Sequence, residues 1–238
     1  MSIIDEKRFL LSNFVKNYCE FFFYDNQVAL TQEGRDFLII LVFLDTLIDI
    51  FEPKIKKEDL QETMSLLRQT VSSYIKDKKE HETIIKNESK FNISCNDDIG
   101  IRQNELIKIF KTTEEHLKEF LEAYSFTFSY YNAPIETLLV EFNNYLSHIL
   151  KAVNGKEIES NISRANAHLH RGTLDAYKNI IKSKFKNISL NTNDKNEKML
   201  LKELFELRLK EIEGIGFTED EKIDITNEYK AFAWELKK

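Results

Sequence analysis

The residues of this chain best suited to chemistry lie in Glu141-Phe142-Asn143-Asn144-Tyr145-Leu146-Ser147-His148. On a helix advancing about 100° per residue, Glu141, Asn144 and His148, spaced three and four apart, stand together. Leu138, Phe142, Tyr145 and Ile149 share an apolar face that Leu139, Leu146, Leu150 and Val153 widen. The polar trio therefore runs along one edge of that arc, with Asn143 on the opposite edge. A carboxylate, an amide and an imidazole at the border of a core can bind a polar ligand, or can hold a neighbouring helix by hydrogen bonds. Imidazole titrates near neutrality and is the usual acid or base when RNA is cleaved without a metal.

A second polar set follows. Arg164, His168, Arg171 and Asp175 step by four, three and four within a narrow arc, Lys178 and Lys182 continue it, and His170 points to another side. Such a stripe reads as a solvated face whose exposed ion pairs contribute at most about 1 kcal/mol each. Read functionally, it supplies the cations a phosphate requires. Tyr124, Phe126, Phe128, Tyr130 and Tyr131 could stack bases, but burial in a core or interface removes more apolar surface from water. Their two-residue alternation also allows a short extended segment. Metal clusters, phosphate-binding glycine loops and serine-nucleophile motifs are missing, so neither metal nor cofactor is expected.

The elements that must position these groups are helical. Apolar residues recur every three or four positions, and six Gly and two Pro in 238 residues leave little material for hairpins or barrel corners. A first helix is predicted over Ile3 to Phe23, with a wide aromatic face. A second follows Thr31 and stops before Pro53. A third carries the seam Leu60, Met64, Leu67, Val71 and Tyr74. Helix four covers Asn104 to Phe128, helix five starts near Pro134 and stops at Asn154-Gly155, and helix six covers Glu157 to Phe185. A seventh follows the polar stretch Asn187 to Asn196, and Thr218 with Glu221 makes a capping box for the last.

Between helices three and four, charge and turn formers rise while periodicity fades. The expected organisation is an N-terminal helical region over residues 1–80, offering an interaction or dimerisation surface, a polar linker over 81–103, and a helical bundle over 104–238. The fold class is all-α. The run Phe37 to Phe51, about 15 residues with Asp45 and Asp49 inside it, is shorter than the roughly 20 a membrane span needs and reads as a buried helix. A net charge of -6 argues against a whole-protein electrostatic grip on nucleic acid but leaves room for a local basic patch. Cys19 and Cys95 are isolated, and Met1 to Lys16 lacks a secretory pattern, so a reducing cytoplasm is expected.

The pattern Asn143-Asn144-Tyr145-Leu146-Ser147-His148, in an all-helical setting, resembles the signature of the HEPN superfamily (higher eukaryotes and prokaryotes nucleotide-binding domains) over about residues 104–238. Many members are metal-independent ribonucleases whose motif is an Arg, a polar residue that is often Asn, a spacer and a His. The resemblance assigns the polar position to Asn144, the His to His148 and an acidic neighbour to Glu141. Asn143 holds the place of the motif Arg and cannot supply its charge or bidentate donors. Leu150 stands where some toxin members carry a regulatory Tyr.

Arg164 or Arg171 is the candidate replacement, from the same chain or across a homodimer, because the family's sites resemble composite clefts. The run Arg164 to His170, with His168, is the alternative location of the motif. The resemblance implies a component of a bacterial conflict system, in antiphage defence or a toxin-antitoxin pair. It would have weakened or lost ribonuclease activity and act by binding RNA or a protein partner, away from membranes. The alternative is a noncatalytic helical adaptor that docks a larger effector or homodimerises.

Overall fold

A computed structural model describes residues 8–28, 36–52, 54–78, 103–214 and 219–237. Among these all regular structure is helical: α1 Arg8–Val28, α2 Phe37–Phe51, α3 Lys57–Lys78, α4 Gln103–Tyr131, α5 Glu136–Val153, α6 Ile158–Phe185, α7 Lys195–Glu213 and α8 Glu219–Lys237. The all-α expectation holds. Residues 79–102, which contain most of the predicted linker, lie outside the described residues, as do Thr218 of the predicted capping box and Pro53.

Local signals account for several boundaries. Asp36 caps α2, its carboxylate accepting from the backbone N–H of Leu38 and Ile39. Asp194 does the same for α7 with Asn196 and Glu197. α4 runs through Tyr131, so the alternating aromatics continue a helix and the extended segment expected there does not form. It ends at Asn132, whose φ of 51° is one that Asn tolerates better than most residues. α5 closes at Gly155 with φ 74°, where Gly155 N–H bonds Ala152 O and Lys156 N–H bonds Lys151 O. That paired closure needs a left-handed residue, and Gly adopts it without Cβ strain.

The contacts divide the chain into two compact units, one of Met1–Lys118 with Leu139–Leu169, the other of Glu119–Leu138 with His170–Lys238. The first holds α1 to α3, the first half of α4, α5 from Leu139 onward and α6 as far as Leu169. At its centre the Phe43 ring lies 5.5 Å from Phe14, 5.3 Å from Tyr18 and 5.4 Å from Phe21. α3 packs on α1 and α2, with Leu60, Met64, Leu67, Val71 and Tyr74 all buried. The seam is therefore the inside of this unit, covered by its own neighbours. α2 is the buried helix its apolar run predicted, with Asp49 accepting from the Thr63 hydroxyl at 2.7 Å. Cys19 is buried and disulfide-bonded, which corrects its reading as an isolated thiol and removes the cysteine argument for a reducing compartment. No helix among the described residues is long and apolar enough to cross a membrane.

In the second unit Phe126 stacks on Trp234 at 4.4 Å, and the Tyr131 hydroxyl donates to Asn179 O at 2.7 Å. These aromatics serve as core and tether. Lys178, from the stripe read as a solvated face, pairs with Glu211, which also accepts from Arg208 and the Tyr229 hydroxyl.

Burial of the α3 seam carries a direct consequence. Leu67→Ala is expected to lower the unfolding free energy by about 2–5 kcal/mol, read from the urea midpoint, with no change of oligomeric state.

Candidate functional site

The rotation of α5 about its axis decides which of its polar residues reach solvent. Phe142, Tyr145, Leu146 and Ile149 are buried, and so is Asn143, at 1% exposure. The Tyr18 hydroxyl donates to Asn143, its hydrogen shared between the backbone oxygen and Oδ1, each 2.9 Å away. Two residues on, Tyr145 donates to Thr113 Oγ1 at 3.2 Å while Thr113 donates to Phe110 O. Burial pushes the Tyr145 phenol well above its ordinary pKa, so it stays a neutral donor. With these groups facing inward, Glu141, Asn144, Ser147 and His148 come to the half-buried edge.

Across that edge lies the first half of α6. His168 Nδ1 is 2.6 Å from Glu141 Oε2. His148 Nδ1 is 2.8 Å from Asn161 Oδ1. The two imidazoles stack with centroids 5.3 Å apart and planes inclined by 20°. The α5 cluster and the Arg164–His168 run, which the sequence offers as rival locations, are thus two halves of one site.

Asn161 decides the tautomer of His148. Its Nδ2 donates to Lys156 O at 2.7 Å and Glu157 O at 3.3 Å, both in the turn between α5 and α6. Those carbonyls can only accept, so the amide nitrogen must face them and Oδ1 must face His148. An amide oxygen only accepts, and the hydrogen therefore sits on His148 Nδ1. Neutral His148 then has its lone pair on Nε2. Glu157 adopts φ 39°, an uncommon conformation for a non-glycine residue, and the bond from Asn161 braces it.

Burial lowers the His148 pKa below the usual imidazole value. The Asn161 hydrogen bond opposes this, and the charges of Lys151, His168 and Arg164 add to the lowering. Arg164 is exposed, and its charge bears on His148. Arg171, two turns further along α6, is exposed and falls in the other compact unit. Asn144 is half-buried, its backbone oxygen accepting from Ser147 Oγ at 2.8 Å, and its side chain holds neither imidazole. No three His, Cys, Asp or Glu among the described residues are grouped to hold a metal.

Sequence reasoning missed Asn161, Tyr18 and Lys151 as contributors. Asn161 carries no chemical signal of its own, being one of several polar residues near the start of α6. Lys151 was legible in retrospect, three residues beyond His148 on the same helix.

Chemically, the pair offers an imidazole held as a neutral base and a second held by a carboxylate, beside exposed cations. No family model, curated protein or solved structure matches this chain.

Two outcomes follow from this geometry. Asn143→Arg is expected to cost about 3–5 kcal/mol of stability, because the position is sealed and an unpaired charge there is not compensated. Thermal melts of the variant measure it. His148 is neutral in the fold more readily than in the unfolded chain. As pH falls below about 6.5 the unfolded state takes up the proton first. Its contribution therefore makes stability fall from pH 7.5 to 5.5, and melting series should show that decline flattened in His148→Gln.

Proposed function

We propose that the protein is a HEPN-like, metal-independent RNA-cleaving protein of a bacterial conflict system, with its activity weakened by loss of the motif Arg. The observation that carries this reading is the stacked His148–His168 pair with both Nδ1 atoms already committed, one to Asn161 and one to Glu141. That arrangement fixes each ring through Nδ1, as a hydrogen-bonded orienting group does for a catalytic imidazole, and the reaction would use Nε2.

In the reaction, His148 Nε2 accepts the proton of a ribose 2′-hydroxyl as its oxygen attacks the adjacent phosphorus. The P–O2′ bond forms and the P–O5′ bond breaks. Protonated His168 gives its Nε2 proton to the departing 5′ oxygen, leaving a 2′,3′-cyclic phosphate and a 5′-hydroxyl. The Glu141 carboxylate holds the His168 ring and compensates the charge it carries, while Arg164 offsets the charge that develops on the phosphate. A low pKa at His148 keeps the base unprotonated at neutral pH, where a protonated ring could not act.

The second reading, a noncatalytic adaptor, is favoured by exposed apolar residues on α7. It predicts that His148→Ala leaves activity in cells intact. The cleavage reading is checked with purified protein and single-stranded RNA in the presence of a chelator. Cleavage ending in 2′,3′-cyclic phosphates is expected, lowered about 100-fold or more by His148→Ala and by His168→Ala. The acid limb of the rate profile should fall below the ordinary imidazole value. A protein that neither cleaves nor binds RNA would sink it.

A further inference from the structure

α7 carries apolar residues on two faces. Leu207 is buried on one; on the other, buried Leu201 is followed at steps of four, four and three by Phe205, Leu209 and Ile212, each more than half exposed. Leu190, just upstream and also more than half exposed, joins Leu201, Phe205 and Leu209 in lining a groove along this face. Three large side chains in register at the surface are more than scattered exposure accounts for.

The charges flanking the stripe are ordered along the axis. On one edge Lys195 and Lys202 occupy the N-terminal half, and Glu206 and Glu213 occupy the C-terminal half. All four are exposed, and within the chain Lys202 and Glu206 form only a long pair, at 3.6 Å, that is open to solvent. An edge that is basic at one end and acidic at the other complements a copy of itself turned end for end. In antiparallel helix pairs like edges face each other, so charge and apolar register can be tested together.

They agree. With the two-fold axis beside Phe205, the Phe205 rings of two copies meet at the axis. Leu209 of each enters the groove between Leu190 and Leu201 of the other, and Ile212 covers the aliphatic stem of Lys198. The charges centre one residue earlier, at position 204, which sets Lys202 opposite the second copy's Glu206 and Lys195 opposite its Glu213 with an axial offset of about 3 Å that these long side chains span. We infer that the exposed face of α7 is the self-association surface of this protein, occupied by α7 of a second copy in antiparallel orientation. A stable interface takes about 800 Å² from each partner, more than one helix face of about 28 Å supplies. The dimer is therefore concentration-dependent.

Sedimentation velocity on the full chain, from about 1 to about 300 μM, tests this. The expected result is a rise from monomer to dimer mass across that range. Phe205→Glu should raise the dissociation constant about tenfold or more without altering the thermal melt, since the side chain is exposed. Lys202→Glu alone should weaken association by setting acidic edges against each other, and Lys202→Glu with Glu206→Lys should restore it. A chain monomeric throughout, association indifferent to Phe205→Glu, or a double variant no better than the single one would overturn the inference. So would a monomer that floats with anionic phospholipid vesicles through Phe205.

Discussion

The arrangement of the candidate site depends on one constraint, the rotational setting of α5. Asn143 is a polar side chain in a sealed position, and its only acceptable state is hydrogen-bonded. The Tyr18 hydroxyl meets it, and Phe142, Tyr145 and Ile149 are buried beside it. A helix pinned by these groups cannot turn without exposing rings or stranding an amide, so Glu141 and His148 are held at the edge. The first helix thus bears on the candidate site at a distance: α1 supplies the hydroxyl that sets the helix carrying His148.

The same setting removes Asn143 from the polar edge. Its side chain is turned toward the core, where neither a guanidinium nor a substrate would find water or counter-charge. Positive charge near the imidazoles comes instead from Arg164 and Lys151, both exposed. Exposure leaves the long arginine side chain room to move. It also leaves that charge more screened than it would be in a closed cleft.

The imidazoles differ in what holds them. Asn161 presents a neutral acceptor to His148, fixing a tautomer without stabilising positive charge as strongly as a carboxylate would. Glu141 presents a carboxylate to His168. Two rings of the same type in stacking contact are thereby given unequal surroundings. The turn between α5 and α6 is part of this device, because Asn161 bonds its carbonyls with the same amide whose oxygen receives His148.

The sequence by itself determined the helices, because period and punctuation are local: the apolar spacing of α5, the Asn154-Gly155 stop and the Asp36 cap all act within a few residues. It also placed Glu141, Asn144 and His148 on one edge, and Arg164 and His168 on one arc, since that follows from helix geometry alone. Which edge meets which arc was not local. Only the tertiary structure decided that His168 reaches Glu141 across 27 residues and His148 reaches Asn161 across 13, turning two rival motifs into one site. Only it decided that the α3 seam faces inward while an α7 stripe of similar character faces out. Amphipathic spacing states that a face wants cover but not which neighbour provides it, and that choice is made by the packing of the whole unit.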